Sequence, residues 1–169
     1  MEQFDPVLDY TLKMGRDTVL IGMNENVHEL SRVGGGRTHN HSRFELHVIL
    51  DGKCQIDVDG ISHMLQAGQV MVIAPGQYHR ITPAVSGCER LTVGMTVGDT
   101  ALWQRLSDAV LVQNCLDLTP HMIELCRGIL SESETKKPFG RELMRVRMVE
   151  LTVLVLRMLG LREDTLPPQ

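Results

Sequence analysis

From about residue 18 to residue 97 the chain alternates short apolar runs with polar positions and glycine turns. The runs are Phe44 to Leu50, Cys54 to Val58, Ser62 to Leu65, Val70 to Ala74 and Leu91 to Val97. Runs of this length predict strands, whose side chains point alternately to the two faces of a sheet. Asp51-Gly52 and Asp59-Gly60 fall between such runs. Both predict hairpin turns, because glycine accepts a positive φ at low cost. Near residue 100 the pattern changes to helical spacing. A short helix is expected over about 100–109. Thr119-Pro120 reads as an N-cap followed by proline at the first helical position, opening a helix that runs to about Leu130. The polar stretch 131–137 reads as a loop. A long helix follows from Arg141 to Leu159, stopped by Gly160. The expected fold is mainly β, a sandwich or small barrel, followed by a C-terminal α-helical hairpin.

The last helix is apolar on more than one side. Arg141, Glu142, Arg145 and Arg147 alternate with Leu143, Met144, Val146 and Met148, and from Leu151 onward only Thr152 and Arg157 are polar. Such a helix needs cover on more than one face. Either the chain's own sheet covers one face and a second subunit the other, or all the cover comes from within one chain. Because few elements remain to cover a C-terminal helix, we expect a homodimer through Met144, Met148, Leu151, Val155, Met158 and Leu159.

Composition narrows the function classes. With 169 residues, 43% hydrophobic and 22% charged, the chain suits one domain with its own core. Seventeen Lys plus Arg against 21 Asp plus Glu give a net charge of −4, which offers no basic footprint for nucleic acid. Met1 to Asp5 is acidic where a secretory signal would be basic and then apolar. The longest nearly apolar run, Leu151 to Leu159, is too short to span a bilayer and contains Arg157. A cytoplasmic location without membrane association is expected. Cys54, Cys88, Cys115 and Cys126 form no CxxC pair and read as free thiols acting as small core residues.

The chemistry concentrates in one segment. His39 and His41 are two apart, Glu45 and His47 continue the same parity, and Phe44, Leu46, Val48 and Leu50 take the opposite face. On a strand of a barrel this gives a polar side inward and an apolar exterior that helices must cover. Downstream, the segment Gly68 to Ala74 ends a strand at Pro75-Gly76, and His79 enters the next. Three imidazoles from His39, His41 and His79 with the Glu45 carboxylate make a suitable set for a divalent transition metal such as Zn, Ni, Fe or Mn. Any one of these histidines alone would be read as an ordinary polar position. Elsewhere, Trp103 reads as a packing anchor, His28 and His63 as ordinary polar positions, and His121 as solvent-facing. Gly34-Gly35-Gly36 reads as a flexible entry to the histidine strand and not as a phosphate loop, because no helix start follows it.

These residues carry a resemblance. His39-x-His41, Glu45 and Gly52 match the first cupin motif, and Gly68 with Pro75-Gly76-x-x-His79 resembles the second; Val33 and Ala74 stand where a glycine and a proline are usual. The resemblance implies a double-stranded β-helix (jelly roll) with a central pocket. With two helices following it, the second long and apolar, the chain is similar over residues of about 20 to 160 to the N-terminal effector-binding and dimerisation domain of AraC-type transcriptional regulators. That likeness divides the chain into an arm over 1–17, a cupin barrel over 18–98, a helical dimerisation region over 99–160 and a linker over 161–169. The linker would lead to a DNA-binding helix-turn-helix domain that this chain does not contain. It implies a non-enzymatic sensor whose pocket, lined by His39, His41, Glu45, His47 and His79, takes a small-molecule effector such as a sugar or another polar metabolite. The competing readings are a metal-dependent cupin enzyme, a dioxygenase or isomerase, and a stand-alone sugar-binding cupin.

Overall fold

The structure is a computed structural model that describes residues 8–14, 17–32, 35–98 and 101–161. Seven strands among these residues form one rolled antiparallel sheet in the order β1-β2-β6-β3-β5-β7, with β4 pairing β3. The elements are β1 (Leu8–Met14), β2 (Asp17–Met23), α1 (Val27–Leu30), β3 (Phe44–Val58), β4 (Ile61–Gln66), β5 (Gln69–Ile73), β6 (His79–Val97), α2 (Ala101–Val112), β7 (Cys115–Asp117), α3 (Pro120–Thr135) and α4 (Gly140–Met158). Antiparallel strands followed by helices are the fold class expected from the pattern.

Two long strands organise the sheet. The first half of β3 lies between β5 and β6, pairing Glu45 with Ile73 and with Gly94. Its second half lies between β4 and β6, pairing Ile56 with His63 and with Ile81. Asp59-Gly60 makes the expected hairpin turn, with φ of 49° and 83°. Asp51-Gly52 does not. The strand passes straight through it, and the register with β6 slips between Ile49 and Asp51 and again between Gly52 and Cys54. Glycine's positive φ, 72° at Gly52, serves a bulge here in place of a turn. The bulge also exchanges the inward parity, so that Glu45, His47 and Ile49 are followed on the inner face by Cys54, Ile56 and Val58.

The two faces of β3 enter separate cores. Ile49, Cys54, Ile56, Val58, Leu65, Met71, Ile73 and Ile81 fill the inside of the roll. Phe44, Leu46, Val48 and Leu50 join the outer core with residues of β1, β2 and α2 to α4. Leu102, Leu106 and Val110 form the buried stripe of α2, and Trp103 beside them meets Phe44 edge-on at 6.3 Å, the packing role expected of it. Thr119 caps α3 by accepting from the Met122 amide at 3.3 Å.

The helical layer corrects several boundaries. α3 runs through the stretch read as a loop, to Thr135, because Ser133 is buried and bonds the Glu25 carbonyl at 2.6 Å. The turn after it closes on Lys136 in the left-handed region. Within the region read as an arm, residues 8–14 form β1, paired along its whole length from Leu8↔Met23 to Met14↔Asp17. Residues 1–7 and 162–169, hence nearly all of the expected linker, lie outside the described residues. β1 with β2 and α3 supplies the cover that α4 lacked in the sequence reading. Met144, Met148, Leu151 and Val155, expected at a subunit interface, are buried in the outer core of their own chain, whereas Met158 is exposed and Leu159 half-buried. The buried Thr152 hydroxyl donates to the Met148 carbonyl at 2.8 Å, so it needs no outside partner.

Candidate metal centre

Four side chains from three parts of the chain converge on one another. Ligand atoms of His39, His41, Glu45 and His79 all lie within 4.8 Å of one another. Glu45 sits near the start of β3 and His79 at the start of β6. His39 and His41 precede β3 in a segment that is not a regular strand, but backbone bonds hold it in place. The His39 amide donates to the His79 carbonyl at 3.0 Å, and the His79 amide donates back at 2.8 Å. The Gly76 amide donates to the His41 carbonyl at 2.9 Å. The Pro-Gly turn therefore positions both halves of the set. Gly35 explains part of the glycine run before it, since a Cβ there would lie 1.4 Å from the Ile81 carbonyl oxygen. Close backbone approach requires that glycine.

The hydrogen bonds assign roles to the rings. His39 Nδ1 lies 2.9 Å from the Arg37 carbonyl oxygen, His41 Nδ1 3.0 Å from that of Arg43, and His79 Nδ1 3.1 Å from that of Gln77. A carbonyl only accepts, so each Nδ1 carries a proton, and Nε2 is the atom that each ring offers to an ion when it is neutral. For His41 and His79 that atom faces Glu45 Oε2, at 3.0 and 3.2 Å. His47 differs. Its Nδ1 faces the Thr92 hydroxyl at 3.4 Å, and its Nε2 lies 2.9 Å from the same Oε2. Nothing forces its proton onto Nδ1, so Nε2–H donates to the carboxylate. His47 orients Glu45 and does not join the ligand set.

The electrostatics follow. Burial works against ionisation of Glu45. The His47 charge and hydrogen bonds from His41, His47 and His79 outweigh it and hold the carboxyl well below its usual range. Burial drives His47 down, against the pull of Glu45. Burial also opposes charge on His79, but the Glu45 and Gln77 bonds outweigh it and bring the ring up. An ionised carboxylate oxygen that draws the Nε2 atoms of His41, His47 and His79 to within 3.2 Å calls for positive charge, which protons on the rings supply when no ion is bound. A divalent cation supplies it, and donors roughly 3 Å apart suit neighbouring positions around an ion with bonds of about 2.1 Å. The residues present therefore fit a metal. The set is graded from His79 and Glu45, both buried, to His39, which is exposed.

All five residues singled out from the sequence meet here, His47 as support for Glu45. Sequence reasoning missed Arg43, whose guanidinium lies 3.7 Å from Glu45 Oε1, and Thr92. Arg43 shares the parity of Glu45, so a signal existed. Thr92 is visible only once the β3–β6 register sets it opposite His47. His121 is exposed as expected and contacts Glu150 at 2.7 Å, whereas His28 is tied to Ser133 at 2.8 Å. A separate cleft of about 300 Å³, bordered by Glu25, Lys136, Phe139 and Arg141, lies among the helices, and none of the imidazoles lines it.

The family described as AraC-like ligand binding domain matches residues 35–145. Among solved structures, a cupin protein from Bacteroides fragilis is similar at 22% identity, covering 59% of this chain and 89% of its own, with a TM-score of 0.36. A cupin-2 domain containing protein from Shewanella frigidimarina is similar at 21% identity, covering 52% and 79%, with a TM-score of 0.34. No curated protein matches the chain.

Proposed function

We propose, for a chain that belongs to the family of AraC-like ligand binding domains, that it is the small-molecule-sensing domain of an AraC-type transcriptional regulator with a divalent transition metal in its barrel. His39, His41, Glu45 and His79 would hold the ion, which supplies a Lewis-acidic anchor for an oxygen-bearing ligand. The carrying observation is the convergence of ligand atoms of His39, His41, Glu45 and His79 to within 4.8 Å of one another. Exposed His39 leaves one side of the set within reach of a sugar or other polar metabolite. Sensing requires unequal ligand affinity for two arrangements of the chain. DNA would be read by a further domain, since the charge of −4 gives this chain no footprint for it.

A second copy would meet the outward stripe of α4, where Leu143, Val146 and Met158 are exposed and Val153 half-buried. This stripe replaces the face first expected. Sedimentation as a dimer that Val146→Glu disrupts would support it. The alternative of a metal-dependent dioxygenase or isomerase uses the same four ligands. The apolar helix does not decide against an enzyme, because its apolar side is covered from within the chain. Family membership favours the regulator.

Metal analysis with native mass spectrometry tests the reading. One divalent ion per chain is expected after equilibration with Zn, Ni, Fe or Mn, and a thermal-shift screen of sugars and polar acids should find ligands that stabilise the loaded protein. A chain that retains none of these ions would overturn the metal centre.

A further inference from the structure

The four cysteines are free and differ in their surroundings. Cys126 is sealed in the outer core, and its burial pushes the thiol up to about 12. Cys115 lies on β7 beside the inner core. Cys54 and Cys88 have each other. Cys54 is wholly buried on the inner face of β3, and Cys88, half-buried on β6, packs against the same inner core. The bulge brings them together. Gly52 pairs with Cys88 while Cys54 pairs with Pro83, so β6 takes up its extra length between these two positions. A Cβ on Gly52 would lie 2.4 Å from the Gly87 carbonyl oxygen and 3.1 Å from the Cys88 Cα. The strands touch there, and the Cys88 side chain packs against the inner core that holds Cys54, whose thiol donates to the Gln55 carbonyl at 3.8 Å. Burial, then Cys88 itself, pushes the Cys54 thiol up to about 12, against the nearby Arg90 charge.

We infer that Cys54 and Cys88 are a dithiol that a hydroperoxide closes into an intramolecular disulfide, stapling β3 to β6 across the bulge. The half-exposed Cys88 meets the oxidant. Its thiolate attacks a peroxide oxygen, the O–O bond breaks, and the departing hydroxide takes up the proton lost by the thiol, leaving a sulfenic acid and one water. The Cys54 sulfur then attacks the Cys88 sulfur, the S–O bond breaks, and the leaving hydroxide takes the Cys54 proton as a second water. Two thiols and one hydrogen peroxide thus yield one disulfide and two waters, with two electrons passing from sulfur to peroxide. Burial shields Cys54 from the oxidant and keeps it protonated, so its attack on the adjacent Cys88 sulfur is coupled to loss of its proton to the departing hydroxide. Neither residue is a proposed metal ligand, so this inference stands apart from the metal centre.

The test uses the full chain, stripped of metal with a chelator, treated with hydrogen peroxide, alkylated under denaturing conditions and digested without reduction. A peptide linking Cys54 to Cys88 is expected, two hydrogens lighter than the reduced pair, and alkylatable thiols should fall from the four of the reduced chain to two. Dithiothreitol should restore them. Cys88→Ser should lose the link while keeping its circular dichroism spectrum, with Cys88→Ala as the second variant should serine disturb the core. Oxidation should raise the urea midpoint of the parent chain and leave that of the variant unchanged. A sulfinic or sulfonic acid at Cys88 without a linked peptide, a link through Cys115, or a link between two chains would each overturn the inference.

Discussion

On the outward face of β3, Phe44, Leu46, Val48 and Leu50 vanish beneath the helices, while on the inward face of the same segment Glu45 and His47 are just as inaccessible and polar. The outward residues contribute by area, roughly 1.5–3 kcal/mol for each large side chain buried, and a swap of similar volume is tolerated. The inward pair contributes only through its partners, because a buried charge is costly unless it is paired and hydrogen-bonded. One strand thus carries apolar packing on one side and a hydrogen-bonded polar pair on the other. Changes on the two sides should have separable effects.

The largest effect is expected inward. Replacing both His39 and His79 by alanine should abolish bound metal while preserving the fold, since neither ring belongs to either apolar core. Elemental analysis finding undiminished metal would erase the distinction between the faces. The outward counterpart is Leu46→Ala, which should cost about 3 kcal/mol by urea denaturation, within the 2–5 kcal/mol usual for such cavities. Metal content should not change. Loss of metal in that variant would mean that the inner cluster depends on outer packing after all.

The outward alternation was legible in the sequence because a period of two is a local property of the chain, whereas the meeting of His79 with His39, His41 and Glu45 was legible through the two motifs that carry them. What escaped depended on pairing between distant segments. Asp51-Gly52 has the composition of a hairpin turn, and only the register with Cys88 and Pro83 makes it a bulge. The end of α3 was misjudged because 131–137 is polar, while Ser133 finds its partners on the loop and helix around Glu25 and His28, more than a hundred positions away. The apolar side of α4 suggested a second subunit because β1, which helps to cover it, arises from the stretch that patterns least clearly. The division of labour between His47 and the three ligand rings needed hydrogen-bond geometry, which spacing alone does not provide.

A third expectation isolates His47. Burial holds its pKa below the ordinary 6.5, so on acidification the unfolded chain takes up a proton before the folded one does, and stability falls as pH drops below that value. His79 has the opposite sign: its raised pKa adds stability as pH falls towards 6.5, after which its contribution is complete. Glu45, with its lowered pKa, withdraws stability only as pH falls below about 4.5. Between those two limits the metal-free protein should lose at most about 1.4 kcal/mol per pH unit from this ring. His47→Gln should flatten the slope of urea midpoint against pH, whereas Leu46→Ala should lower the whole curve without changing its slope. A slope surviving in the glutamine variant would mean that the inward pairing is not its source.

The smallest effect tests whether the outer face owes its cover to the seating of α3. Thr119 fixes the first turn through the bond from the Met122 amide, and Met122 is itself a buried member of the outer core. Further along the helix, Arg127 donates to the Leu50 carbonyl at 3.3 Å, tying α3 directly to the outward side of β3. Removing the hydroxyl with Thr119→Ala leaves one amide to water and should cost about 1 kcal/mol. Thr119→Ser should recover most of it, because the serine hydroxyl caps equally well. In neither variant should metal stoichiometry move, since none of the four candidate ligands lies on α3. If the alanine variant were as stable as the parent, α3 would be held by its apolar stripe alone, and the outward face would need no directional contact at all. That result would sharpen the contrast with the inward face, where Glu45 and His47 are each held by directional contacts.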